Sequence, residues 1–239
     1  TLEKFEEASE IVKKVTNKTK LVHSAYLSEM TGNKVYLKPE NMQVTGAYKI
    51  RGAYYKVSTL TKEEREKGLI TASAGNHAQG VAYAAKKFGC KAIICMPTTT
   101  PLNKINQTKS YGAEVCLVEG VYDDAYNKAL QLRDECGYTF IHPFNDPDVI
   151  AGQGTIALEL MEQISDMDAV IVPIGGGGLI SGVAFAVKQL RPDVKIYGVQ
   201  ASGAPSMVTS IENGKIECLE SVATIADGIK VKEPGVNTF

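Results

Sequence analysis

Short apolar runs alternate with longer stretches of helical periodicity along almost the whole of this 239-residue chain. That alternation implies a parallel sheet, because parallel neighbours have to be joined by a crossover helix. The candidate strands are Lys34–Lys38, Leu69–Ala72, Lys91–Met96, Glu114–Val118, Tyr138–His142, Ala169–Ile174 and Lys195–Gln200. Most are unbroken apolar runs, the pattern of strands covered on both faces. Between them, Thr61-Lys62-Glu63-Glu64 has the spacing of a capping box, a helical run His77–Phe88 stops on Gly89, and another, Asp123–Cys136, stops on Gly137. No repeat, low-complexity tract or Gly/Ser linker marks a domain boundary.

Charge and composition remove several classes of function. Lys plus Arg number 26 and Asp plus Glu 27, a net charge of -1, with no long block of one sign. Nucleic acid is therefore a poor partner for this surface. No apolar run approaches the ~18 residues of a membrane span, and the opening residues are charged where a signal peptide is apolar. A cytoplasmic location without membrane contact is the expectation. The five cysteines, Cys90, Cys95, Cys116, Cys136 and Cys218, are scattered without a CxxC, which fits reduced thiols better than a disulfide scaffold or a zinc module. Asn17-Lys18-Thr19 and Asn106-Gln107-Thr108 have the glycosylation pattern, but it is short and needs a secretory context.

In sheets of this kind ligands bind where strand carboxyl ends meet the amino ends of following helices. One such junction is Gly175-Gly176-Gly177-Gly178, after the run AVIVPI and ahead of Leu179-Ile180-Ser181-Gly182. Four side chains are missing there, so backbone N–H groups and a helix dipole can wrap a phosphate, or the turn can simply pack closely. Gly177 to Gly182 has P-loop spacing, but Val183 stands where the lysine belongs. Gln200 stands where a dinucleotide site has its acidic residue. A small monophosphate held by backbone alone is left. The second junction is Ser73-Ala74-Gly75-Asn76-His77. Ser73 and Asn76 are natural N-cap residues, and the same loop's N–H groups can hold a second anion such as a carboxylate, oriented by His77 or with His77 as a cap. A third segment, TGAYKIRGA, sets Lys49 between Tyr48 and Ile50. Partial desolvation there would lower its pKa and free an amine for Schiff-base chemistry. Spacing does not separate Lys49 from Lys38 or Lys56.

Taken together and in this order, these segments resemble the fold type II pyridoxal-phosphate enzymes, in particular their threonine and serine dehydratase branch. TGAYKIRGA is similar to the cofactor-lysine motif S-F-K-x-R-G-A, SAGNHAQG to the substrate-carboxylate loop and GGGGLISG to the phosphate loop. The resemblance covers essentially the whole chain. It implies an α/β fold of two intertwined domains, each with a twisted, mostly parallel sheet flanked by helices. The large domain is residues 1–40 and 146–239, and the small one residues 41–145. It implies that Lys49 forms a Schiff base with pyridoxal 5'-phosphate, that Tyr48 lies by the ring and that Asn76 bonds the 3-hydroxyl. Gly175, Gly176, Gly177, Gly178 and Leu179 would hold the phosphate, and Ser73, Ala74, Gly75, Asn76 and His77 the substrate carboxylate. Lys49 and Ser73 are the catalytic residues so implied.

The implied activity is dehydration and deamination of L-threonine to 2-oxobutanoate and ammonia, in isoleucine biosynthesis or threonine catabolism, by a homodimer or homotetramer. The alternatives are an L-serine dehydratase, a serine racemase, or, from another class, a noncatalytic amino-acid or nucleotide binding protein on the same scaffold. Racemase relatives carry a second serine base where this chain has Ala74, which favours elimination. Relatives with a divalent cation place acidic residues after the strand ending GV, whereas Gln200–Ser206 holds no carboxylate, so no metal is expected. The family pattern also continues beyond Thr224–Gly235 to a Ser or Thr that meets the pyridine nitrogen, which would lie past Phe239.

Overall fold

The structure, a computed structural model, describes all of residues 1–239. The elements run α1 (Leu2–Val12), β1 (Val22–His23), α2 (Ala25–Thr31), β2 (Tyr36–Leu37), α3 (Lys49–Thr59), α4 (Lys62–Glu66), β3 (Leu69–Ala72), α5 (Asn76–Phe88) and β4 (Ala92–Pro97). They continue with α6 (Leu102–Ser110), β5 (Glu114–Val118), α7 (Tyr122–Cys136), β6 (Thr139–Phe140), α8 (Pro147–Gln163), β7 (Ala169–Pro173), α9 (Gly178–Leu190), β8 (Lys195–Val199) and α10 (Ser206–Asn213). The helix stops are those expected from local chemistry. Thr61 and Glu64 cap α4 reciprocally, and Gly89 and Gly137 end α5 and α7 in the left-handed conformation that glycine adopts without strain.

The α/β architecture contains a four-stranded parallel sheet in the order β5-β4-β3-β6 and a two-stranded parallel sheet β7-β8. β3 and β4 are buried along their whole length, as unbroken apolar strands should be. Two expectations fail. Lys34–Lys38 contributes only Tyr36–Leu37, paired antiparallel with Val22–His23, because the partner run at residues 22–23 is too short to stand out as a strand. β7 and β8 are covered on one face only: Val172 is buried while Ile171 is 70 % exposed, Tyr197 50 % and Val199 50 %. Helix α9 supplies the covered side.

Helix α3 joins the two parts of the core. A Cβ on Gly152 of α8 would lie 2.6 Å from the Gly52 Cα, and one on Gly182 of α9 would lie 2.3 Å from the Ile150 carbonyl oxygen. The backbones of α3, α8 and α9 therefore touch at sites where any side chain would force them apart. Next to this contact Arg51 is fully buried. Its Nε and Nη2 donate to the two Glu40 oxygens at 2.8 and 2.9 Å, and Nη1 donates to Glu159 Oε1 at 2.7 Å. Lys38 pairs with Glu159 as well, so two cations face two carboxylates. Thr19 and Gln43 donate to Glu40, while the Asn17 amide donates to the Met42 carbonyl. The sequon at Asn17 is thereby a structural element. Thr108 of the second sequon is buried, its hydroxyl donating to the Lys104 carbonyl.

Arg51→Ala would leave Glu40 and Glu159 short of a fork that only arginine supplies. Stability is expected to fall by about 3–5 kcal/mol, the usual result of stripping one partner from a buried pair, read as a lowered urea midpoint. Arg51→Lys should recover only part of it, since an ammonium cannot bridge both carboxylates in the same plane. A loss below about 1 kcal/mol, the scale of a surface pair, would contradict this account.

Candidate active site

From β3 the chain first builds outward through β4 and β5, then returns across β3 to lay down β6 on its other side. The order therefore reverses between β3 and β6, and the loops leaving the carboxyl ends of those two strands diverge to open a crevice. Those loops are Ser73–Gly75, which leads into α5, and Ile141–Asn145, which leads into α8. The Ile141 carbonyl ties them together, accepting from Thr71 Oγ1 at 2.7 Å and from His77 Nε2 at 3.0 Å.

Lys49, the first residue of α3, faces this crevice. Its Nζ donates to the Pro143 carbonyl at 2.6 Å and lies 5.5 Å from the Tyr48 ring centroid. It forms no ion pair, whereas Lys38 pairs with Glu159 and Lys56 with Asp146 and Asp148. The structure thus separates three lysines that spacing left alike. Burial without a counter-ion pulls the Lys49 pKa down to about 8. The same burial raises the Tyr48 hydroxyl above its ordinary value.

Lys49 and Tyr48 share one cavity with Gly175, Gly176, Gly177, Gly178, Leu179, Phe144, Gly228 and Val231. None of the hydrogen bonds uses the N–H of Gly175, Gly176 or Gly177, and Gly178 and Leu179 open α9, where N–H groups have no intrahelical acceptor. This nest of free donors at a helix amino end, beside an uncompensated lysine, fits a phosphate-bearing carbonyl compound such as pyridoxal phosphate. Close packing also explains the glycines. A Cβ on Gly176 would meet the Phe144 ring at 2.4 Å, one on Gly178 would meet Phe144 at 2.8 Å, and one on Gly177, which has φ +96°, would meet Thr238 at 2.6 Å. The close packing is therefore real, and it leaves the N–H groups of Gly175, Gly176 and Gly177 without an acceptor. Val183 is buried against the α1 and α8 core, and the Gln200 amide oxygen accepts from Met207 N and Val208 N, so neither faces a nucleotide.

Ser73, Ala74, Gly75, Asn76 and His77 do not line that cavity directly. They approach it through Gly228, where a Cβ would lie 3.9 Å from Asn76 Nδ2. Ser73 and Asn76 do not cap α5. Gly75 occupies the cap position, and the Ser73 hydroxyl accepts from Gly75 N at 3.3 Å. The N–H groups of Ala74, Asn76 and His77 have no acceptor, which leaves a second nest for an anion. The His77 side chain turns away from it. Since a carbonyl can only accept, His77 carries its proton on Nε2 and leaves a buried Nδ1 with no partner. Burial, then the Lys49 charge, push His77 down to about 3. His142 is pushed to about 4 by the same two causes, and its Nδ1 accepts from Phe144 N and Asn145 N. Both rings are neutral fixtures.

Sequence reasoning missed the segment Ile141–Asn145, together with Gly228, Val231 and Thr238. The first carried a legible signal: His142-Pro143-Phe144 follows a strand directly, at the kind of junction where ligands bind. The others come from an irregular stretch that no period identifies.

The profile of the family described as pyridoxal-phosphate dependent enzyme matches residues 12–239. A protein of Thermotoga maritima named L-threonine ammonia-lyase is 53% identical over 239 residues, covering 100% of this chain and 60% of that one. The chain thus spans about three fifths of this relative's length. Among solved structures, the processed form of threonine deaminase isoform 2 from Solanum lycopersicum superposes with a TM-score of 0.95 at 44% identity, covering 99% of this chain and 66% of that one. The serine racemase of Dictyostelium discoideum gives 0.92 at 37%, covering 100% and 76%.

The unpaired lysine makes a pH-dependent prediction for the cofactor-free protein. Its folded pKa of about 8 lies below the 10.5 of a free lysine, so unfolding takes up a proton between those values and stability from this residue rises with pH through that window. Lys49→Met removes the cost of burying the charge. The variant is expected to melt higher than wild type at pH 7, with the gap closing towards pH 10, as followed by thermal melts across that range. A gap independent of pH would mean that Lys49 is solvated.

Proposed function

The chain belongs to the pyridoxal-phosphate dependent enzymes, and we propose that it carries the catalytic core of an L-threonine ammonia-lyase, which turns L-threonine into 2-oxobutanoate and ammonia. The observation that carries this reading is Lys49, a half-buried amine with no counter-ion that shares a cavity with the free N–H groups of the glycine run. The names of the Thermotoga maritima and Solanum lycopersicum relatives support the choice of substrate.

Lys49 would bear the cofactor on Nζ, and Gly175–Leu179 would hold its phosphate at the amino end of α9, with Tyr48 and Asn76 at its ring. When bound, the cofactor supplies an electron sink for bond breaking at the substrate Cα. The amino end of α5 would take the substrate carboxylate on the N–H groups of Ala74, Asn76 and His77, with the Ser73 hydroxyl beside them. Once free, the Lys49 amine is suited to remove the Cα proton, because a pKa of about 8 leaves a useful share of it unprotonated near neutrality. The Pro143 carbonyl orients that amine at 2.6 Å without adding charge. His77 and His142, both neutral, leave Lys49 as the group that moves protons. The division into a small domain, residues 41–145, and a large one is part of this proposal, supported by a four-stranded sheet wholly within Leu69–Phe140.

A serine racemase is the second reading, favoured by the Dictyostelium discoideum likeness. Ala74 counts against it. The methyl of Ala74 exchanges no proton and His77 is tied to Ile141, so neither supplies the second base that racemisation needs.

The cofactor-loaded protein is expected to show a visible absorbance that threonine perturbs, with 2-oxobutanoate released, and Lys49→Ala should lose any borohydride-fixed cofactor. Cofactor binding without turnover of threonine or serine would instead favour a noncatalytic binding protein. With L-serine in deuterated water, wild type should give pyruvate and little D-serine, and Ala74→Ser should gain a modest racemase activity. Abundant D-serine from wild type would overturn the elimination reading.

A further inference from the structure

The parallel register of β4 and β5 sets Cys95 directly opposite Cys116. Residues opposite each other in register point to the same face of a sheet, and both thiols pack against the cluster of Ile70, Ala72, Ile93, Ala125 and Ala129 under α7. Neighbouring strands lie about 4.8 Å apart, inside the 4.4–6.8 Å that a disulfide spans between Cα atoms. The pair differs in access: Cys95 is fully buried and Cys116 half-buried. Cys95 also sits at the last rung of β4 against β3, where its carbonyl accepts from Ser73 N at 3.1 Å. Ser73 is the first residue of the loop that opens α5.

We propose that Cys95 and Cys116 are a modification site, closing to a reversible cross-strand disulfide in the presence of a peroxide and acting on the Ser73 loop through the Cys95 carbonyl. The sulfur of the half-buried Cys116, as thiolate, attacks the peroxide: an S–O bond forms, the O–O bond breaks and water leaves after protonation. Cys95 then displaces the sulfenic hydroxyl as a second water. Two thiols and one hydrogen peroxide give one disulfide and two waters, the sulfurs losing two electrons together and the peroxide gaining them. Burial, and after it the neighbouring Cys116 thiol, push Cys95 up to about 12, so Cys95 is the resolving partner rather than the attacking one. Closing the bond must draw Cβ atoms from strand spacing to about 3.8 Å. That strain makes the disulfide readily reduced and shifts β4 at the residue that holds Ser73.

The test uses the full chain loaded with cofactor, carrying Cys136→Ser and Cys218→Ser to remove the exposed single thiols. After hydrogen peroxide and non-reducing trypsin digestion, mass spectrometry is expected to find peptide 92–104 linked to peptide 110–128, a species that dithiothreitol abolishes. The oxidised protein should show a KM for its amino acid raised several-fold, restored by dithiothreitol. Cys116→Ser, with Cys95→Ala as a second variant, should form no linked peptide and keep its KM through the same treatment. The proposal fails if peroxide leaves both peptides unlinked, or if the linked peptide forms while substrate affinity stays unchanged. The linked peptide is read without substrate, so it stands or falls separately from the threonine assignment.

Discussion

Arg51 and its two carboxylates set the position of everything around the crevice. Bringing a guanidinium out of water is costly unless every donor finds an acceptor, and here Glu40, Glu159 and Thr155 take its donors from two directions. Glu40 belongs to a turn before α3 and Glu159 to α8, so the network closes only when α3 lies in one place between them. Lys49 is two residues away, at the start of the same helix. Gly52 against Gly152 then brings the backbones into contact and removes the freedom that side chains would leave. The helix that carries Lys49 is therefore held by an ion network on one side and a close helix crossing on the other.

With position fixed, the electrostatics follow from what is withheld. Lys38 and Lys56 meet carboxylates, and Lys49 meets a carbonyl. Around it lie two nests of unused N–H groups, at the amino ends of α5 and α9, and two histidines kept neutral by burial and by Lys49 itself. Two such nests suit two anionic groups, the phosphate of a cofactor at α9 and the carboxylate of a substrate at α5, because free N–H groups at helix amino ends stabilise negative charge.

The glycine run shows how packing and chemistry can demand the same residues. Phe144 leans on Gly176 and Gly178, while the segment around Gly235–Thr238 bonds back to the Gly176 carbonyl. These contacts hold the loop in a shape that leaves its N–H groups free, so the preorganisation of this candidate anion site is a product of the surrounding core. Without Phe144 the same glycines would be a flexible turn, and flexible turns lose entropy when they bind.

Local signals in the sequence determined the elements that depend on near neighbours: the strands Leu69–Ala72 and Glu114–Val118, the Thr61–Glu64 capping box, the glycine stops at Gly89 and Gly137, and three segments with the composition of anion or amine sites. Those features arise within a few residues of chain, where periodicity and turn chemistry act. Tertiary structure alone decided that Lys49 and not Lys38 or Lys56 stays unpaired, that Ser73 and Asn76 leave the α5 cap to Gly75, that His77 turns to Ile141, and that β1 and β2 pair antiparallel. Tertiary structure likewise placed Phe144 on the glycines and Cys95 beside Cys116. Each of these depends on which distant residue arrives alongside, and in an interior where a charge is stable only with a partner and a side chain only with room, the arrival rather than the residue type decides the chemistry.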